Sequence, residues 1–204
     1  MRVHKRVVER ARRLPRQLGY VWGPRVMSGL RKRWVLLRHP HATIRFEGPV
    51  YLGPGFSLDM RDGGSFIVGP GVEFRRNFRA EVSGDGEIHI GAGSSLTYDV
   101  LIQCTTKVKI GPECLLAQSV IVVDGSHRFR DLTKPVLAQG YDFRPIEIGA
   151  GASIMSKVTV IESIGERSFI GANAVVTKPI PAFSIAVGVP ATVVEYFGPL
   201  EGDD

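Results

Sequence analysis

An aliphatic residue returns at every sixth position from Ile148 to Val176: Ile148, Ile154 and Val160, then after a skip Ile164, Ile170 and Val176. That period belongs neither to a helix nor to a simple alternating strand. Small or polar residues follow the aliphatic ones, Gly149, Gly165 and Gly171 among them, with Ala150, Ala152, Ala172 and Ala174 between. Such a pattern implies short flat strands joined by tight corners. Each coil of these strands buries its apolar row only by stacking on the next. The register opens at Ile44 and continues through Val50, Phe56, Val68, Phe74, Ile90, Leu96, Ile102, Ile110, Leu116 and Val122. Its breaks fall at Gly63-Gly64, at Gly84-Asp85-Gly86 and from Thr105 to Lys107, where corners or short insertions are expected. Ile-Gly recurs at Ile90-Gly91, Ile110-Gly111, Ile148-Gly149, Ile164-Gly165 and Ile170-Gly171. With three strands to a coil, the register predicts an all-β parallel β-helix of about six to seven coils.

Composition agrees: 24 Gly and 13 Pro in 204 residues supply corners, and 44% hydrophobic residues supply one core. Cys104 and Cys114 lie inside the repeat without CxxC spacing, so they read as small, reduced core residues. A reducing cytoplasm is the expected compartment. No apolar run approaches the ~18 residues that a membrane span needs, and no apolar stretch behind the basic N-terminus makes a signal peptide.

Net charge is +6, but residues 1–40 hold twelve Lys and Arg against Glu9 alone, so this arm carries +11 and the remainder −5. A basic arm on an acidic body differs from the broad basic face of a nucleic-acid-binding domain, and no nucleic acid partner is expected. Val3, Val7, Ala11, Leu14 and Leu18 recur at helical spacing, and so do Val26, Leu30, Trp34 and Leu37 beyond Gly23-Pro24. Two short amphipathic helices are predicted. Two readings of this arm stand side by side: peripheral contact with an anionic membrane, or a helical cap over the first coil or on a neighbouring subunit. The resulting division is a basic arm over 1–43, a β-helix over 44–195 with a loop excursion at 123–147, and a tail over 196–204.

That excursion, VDGSHRFRDLTKPVLAQGYDFRPIE, is the longest break in the repeat and concentrates Asp124, Ser126, His127, Arg128, Arg130 and Asp131. Loops leaving a rigid scaffold commonly carry function. His127 alone among the five histidines opens an excursion; His4, His39 and His41 lie in the arm, and His89 precedes Ile90 on an expected outward face. Near neutral pH an imidazole can accept the proton of an attacking hydroxyl. Candidates to fix its tautomer are Asp124, Asp131 and a backbone carbonyl. No histidine cluster has metal-ligand spacing, so no metal is expected.

The segments GSHRFRD, IGAGASIMS, FIGANAVVTKPIP and VGVPATVV resemble the hexapeptide-repeat acyltransferases, and in particular colanic-acid-type and galactoside- or maltose-type sugar O-acetyltransferases. The resemblance implies a left-handed β-helix, acetyl-CoA as co-substrate, a sugar or glycan acceptor, a homotrimer and His127 as general base. It also implies that Ser156, Ala172, Thr177 and Lys178 line the CoA groove, and that Thr97, Tyr98 and Asp99 face the acceptor. Thr97 stands where the family has Asn, and Thr192 and Glu195 stand where the family often has basic residues. Phosphate binding then falls to Lys178, or to Arg144 or Arg167. Valine to isoleucine over Val160-Ile161-Glu162-Ser163-Ile164 is two residues shorter than is usual in the family. The alternatives are a non-catalytic β-helix scaffold and an N-acyltransferase acting on an amino-sugar.

Overall fold

The computed structural model describes residues 23–199. Strands follow one another around a triangular prism with three parallel sheets as its faces. The first face stacks Thr43–Phe46, Ser65–Val68, Glu87–Ile90, Lys107–Ile110 and Ile146–Ile148, and is prolonged by single bridges at Ile164 and Ile180. The second stacks Tyr51–Leu52, Glu73–Phe74, Ser95–Leu96, Leu115–Leu116, Ser153–Ile154, Phe169–Ile170 and Ser184–Val187. On the third lie Ser57–Asp59, Arg79–Val82, Leu101–Cys104, Ile121–Val123, Thr159–Val160 and Val175–Val176. Six three-sided coils and the start of a seventh result, as the repeat predicts. The last strand, Thr192–Tyr196, turns back antiparallel on Ser184–Val187 and closes that end.

Inward positions form continuous rows. Ile90 pairs with Ile110 and Ile110 with Ile148, while Leu96 pairs with Leu116 and Leu116 with Ile154. All of these are essentially fully buried. In the first coil the register differs from the sequence reading. The residues that continue the row of Val68, Phe74 and Ala80 are Phe46, Leu52 and Leu58. Ile44 stacks instead on Phe66, one inward position earlier on the same strand. A strand of period two has inward positions two residues apart, and the six-residue count alone does not choose between them. This end of the prism is filled by Phe56, Phe66, Phe74 and Phe78, whose ring centroids lie 4.5–6.3 Å apart.

Glycines that follow the first-face strands, Gly69 and four of the Ile-Gly repeat (Gly91, Gly111, Gly149 and Gly165), mark the corner to the second face, where one coil's backbone lies against the next. A Cβ at Gly69 would stand 2.8 Å from the Ala92 nitrogen, at Gly111 2.6 Å from the Ala150 nitrogen, and at Gly149 2.6 Å from the Glu166 Cα. The recurring glycine is therefore a requirement of coil spacing.

A helix, α1 (Gly23–Arg38), covers the open end. Leu52 in the topmost strand of the second face has its N–H and C=O turned away from the next coil. Its N–H donates to Ser28 Oγ at 2.8 Å, and Arg31 Nη1 donates to its carbonyl at 2.9 Å. An unpaired strand edge is thereby closed. Ser28 and Val35 are the buried residues of the helix, whereas Val26, Leu30, Trp34 and Leu37 face outward. The helix expected from those four residues forms, but their stripe is not the face that docks. The helix read from Val3 to Leu18 lies outside the described residues.

Candidate active site

At the end of the fourth strand of the third face, the chain leaves the prism after Val123 and returns at Ile146. The excursion is a β-hairpin: Gly125–His127 pairs antiparallel with Tyr141–Phe143, and His127 stands opposite Tyr141. Two features anchor it. Asp124, 5% exposed, turns its carboxylate onto the preceding coil, where it accepts from Thr105 N–H, Thr106 N–H and the Thr106 hydroxyl at 2.6–3.0 Å. Arg144, at the other leg, donates to Asp124 O through its backbone and pairs with Glu162 at 3.0 Å. Gly125 leaves room for the Phe143 ring, which a Cβ there would meet at 2.6 Å.

His127 is exposed, and its imidazole packs on Tyr141 with centroids 4.3 Å apart, while Tyr141 stacks on Phe143 at 5.5 Å. Three aromatic rings in a row hold the base above the coil. Arg128 and Asp142, paired at 2.7 Å, tie the hairpin strands on its other side. His127 borders two clefts, one of about 340 Å³ lined by Glu81, Ser83, Gln103, Ser126 and Tyr141, the other of about 540 Å³ reaching Phe129, Arg130 and Lys134. Both volumes suit a small molecule. In the first cleft, Gln103 Nε2 donates to Glu81 Oε2 at 2.7 Å. A carboxylate and an amide beside Tyr141 provide the polar groups and aromatic face that a polyol needs.

The candidates for orienting His127 are placed differently from expectation. Asp124 is engaged by Thr105 and Thr106, and Asp131 accepts from the Thr133 N–H and hydroxyl and lies 3.3 Å from Lys134 Nζ. Those hydrogen bonds hold the Asp131 carboxyl below the usual carboxylate range, the Thr133 hydroxyl first among them. Among the described residues no hydrogen bond joins either carboxylate to the imidazole. Their roles here are to anchor the hairpin base and its tip turn.

Ser156 and Ala172 occupy consecutive tiers of the corner between the second and third faces, where Asn173 N–H donates to Ser156 O at 2.9 Å. Thr177 and Lys178 are exposed at the opposite end of the third face, at the corner from which the hairpin also leaves two coils earlier. Thr97, Tyr98 and Asp99 lie on the same corner as Ser156, and Asp99 accepts from Asn77 Nδ2 at 2.9 Å. They line neither cleft beside His127. Of the alternative phosphate ligands, Arg144 is engaged by Glu162, and Arg167 sits at the corner between the first and second faces, away from Lys178. Glu81, Gln103, Tyr141 and Phe143 escape sequence reading. The first two lie on strands one to two coils before His127, and the other two only meet it once the hairpin folds.

The two cysteines are buried and free. Burial, with the Asp124 charge second, pushes the Cys104 thiol up to about 12, and burial likewise raises Cys114. Both thiols are therefore kept from the thiolate form that reacts. Native protein is expected to show no fast reaction with a disulfide reagent at mildly alkaline pH, and two thiols after unfolding; a rapidly labelled native cysteine would contradict the packing. Among the described residues no three His, Cys, Asp or Glu side chains gather as a metal site. None of the described helices is long and apolar enough to cross a membrane.

No protein-family model matches the chain. A probable acetyltransferase of Mycobacterium tuberculosis is 33% identical over 171 residues, covering 79% of this chain and 55% of that protein. The chain thus spans about half the length of this relative. A hexapeptide-repeat-containing acetyltransferase of Vibrio cholerae, solved with acetyl coenzyme A, superposes with a TM-score of 0.59 at 18% identity over 88% of this chain and 90% of that one. A galactoside acetyltransferase solved with coenzyme A gives 0.57 at 26% identity over 83% and 72%. Repeat, coil and relatives agree on the fold: the chain is a left-handed parallel β-helix of the hexapeptide-repeat type, similar to these acetyltransferases.

Proposed function

We propose that the protein is an acetyl-CoA-dependent O-acetyltransferase that moves an acetyl group to a sugar or glycan hydroxyl, with His127 as general base. The observation that carries this reading is the exposed imidazole held by a rigid aromatic hairpin over a polar cleft. In the reaction, neutral His127 takes the acceptor's hydroxyl proton as the oxygen attacks the thioester carbonyl. The tetrahedral intermediate collapses with cleavage of the C–S bond, and the proton passes to the departing CoA sulfur. Asp124 serves by fixing the hairpin three residues ahead of the base, and Asp131 by fixing its tip. Ser156 and Ala172 offer small side chains against which a pantetheine arm can lie, with Thr177 and Lys178 toward its phosphates. Lys178 has no ion-pair partner among the described residues.

The reading includes a homotrimer. His127 leaves one edge of the third face, whereas Ser156, Ala172 and the Thr97-Tyr98-Asp99 segment lie on the other. A threefold array of parallel prisms brings one edge of each copy to the other edge of its neighbour, which assembles one complete site from two halves. Sedimentation is expected to give a trimer; a fully active monomer at micromolar concentration would contradict this composite site. Polysaccharide biosynthesis in the cytoplasm, at the inner face of an anionic membrane reached by residues 1–40, completes the proposal.

The test is acceptor-dependent release of CoA thiol from acetyl-CoA, run against free sugars, nucleotide sugars and polyprenyl-linked glycans. Turnover with acceptors that carry hydroxyls and no amine is expected. Turnover only with amino-sugars would make this an N-acyltransferase, and absence of both CoA binding and turnover would make it a scaffold.

A further inference from the structure

Helix α1 is amphipathic the wrong way round for a helix that simply packs on its own domain. At 100° per residue, Val26, Leu30, Trp34 and Leu37 fall on one stripe with Met27 beside it. Those four side chains are 53–81% exposed. On the opposite side, Ser28 and Val35 are buried against the coil, and Arg31 donates to Leu52 O. The docked face thus holds a serine, a valine and an arginine, while the four apolar residues of the stripe are more than half exposed, with Trp34 at the rim of a cleft it shares with Leu58 and Met60.

We infer that this outward stripe of α1 is the surface by which the protein inserts into the headgroup region of an anionic lipid bilayer. The inference rests on the membrane-side placement proposed above and names the element responsible. Charge selects the occupant. No Asp or Glu occurs in α1. Arg33 and Arg38 flank the stripe on the wheel, and the Arg38 guanidinium lies 4.9 Å from the Trp34 ring centroid. Apolar residues with aromatic and arginine neighbours fit the boundary between acyl chains and phosphates. The rest of the arm adds to the attraction, since residues 1–40 carry twelve Lys and Arg against one Glu. A second copy meeting it stripe to stripe is a poorer occupant, because such an isologous contact would set the same arginines against each other.

Deleting the whole arm would not test this, because it would also uncover Leu52 and the first coil. Substitutions on the outward face leave the cap in place. Full-length wild type is expected to float with phosphatidylcholine vesicles containing phosphatidylserine, to stay behind with phosphatidylcholine alone, and to be released by added salt. Leu30→Glu and Trp34→Glu are expected to reduce flotation by about tenfold or more, with unchanged melting and unchanged acetyl transfer to a soluble acceptor. In a Trp22→Phe protein, Trp34 is the single remaining tryptophan, and its emission is expected to shift to the blue only with the anionic vesicles.

Three results would overturn the inference. Wild type that fails to float removes the membrane placement altogether. Flotation undiminished in Leu30→Glu and Trp34→Glu assigns binding to charge elsewhere in the arm and removes the role of this face. Trp34 emission already blue-shifted without vesicles, in an assembly that Leu30→Glu dissociates, shows that another copy covers the stripe. Transfer to the soluble acceptor is measured in parallel, so loss of the enzyme reading is seen separately from loss of this one.

Discussion

His127→Ala is expected to lower acetyl transfer by about 10²-fold or more, the usual contribution of a positioned general base. CoA affinity and melting temperature are expected to remain near wild type. The separation follows from geometry. The imidazole is exposed and its packing partner is the Tyr141 ring, so truncation removes little buried area. Exposed substitutions of this kind change stability by about 0.5 kcal/mol or less. Of the residues proposed for CoA, Ser156 and Ala172 lie on another corner and Thr177 and Lys178 on the same corner two coils further along the prism. Steady-state kinetics with a saturating acceptor, calorimetry with CoA and thermal melting make the comparison. A variant that keeps most of its kcat removes His127 from the mechanism, whatever the other measurements show.

Gly149→Ala is expected to destabilise the fold by about 3 kcal/mol, although it adds a single methyl group. The added carbon would stand 2.6 Å from the Glu166 Cα, a backbone atom with no rotamer to relieve the overlap. The coils would have to part at that corner, and the inward rows through Ile148 and Ile164 would lose contact along with it. Gly140→Ala provides the comparison for the loop, since a Cβ there meets nothing within 4 Å. Its φ of +81° costs backbone strain only, of order 1 kcal/mol. Chemical denaturation of both variants checks the ordering. Equal stability of Gly149→Ala and wild type would show that the coils are not packed at the observed spacing.

The β-helix was legible because its determinants are local and repeated. An inward aliphatic residue every six positions, and a glycine where neighbouring coils approach, are demands that each coil makes separately, so the chain spells them out many times. The first coil shows where that logic ends. Ile44 and Phe46 both point inward, and only the pairing with Phe66 and Val68 decides which of them continues the row. His127 was equally visible, as a titratable residue opening the longest break in the register, and the motif around it carried the family resemblance.

What tertiary structure alone decided is where residues distant in sequence meet. Nothing near Asp124 in the sequence shows that its carboxylate is consumed by Thr105 and Thr106, one coil back; that engagement makes it an anchor and leaves the imidazole to Tyr141. The cleft pair Glu81 and Gln103 lies on adjacent coils, 22 residues apart, a separation set by coil length. In α1 the sequence determined the helix and its apolar stripe, but periodicity is silent on direction. The stripe points outward because Leu52 presents a bare N–H and C=O that only Ser28 and Arg31, on the opposite side of the helix, can satisfy. Left buried without partners, that N–H and C=O would each cost about 1–3 kcal/mol, a penalty that exists only once the first coil has formed.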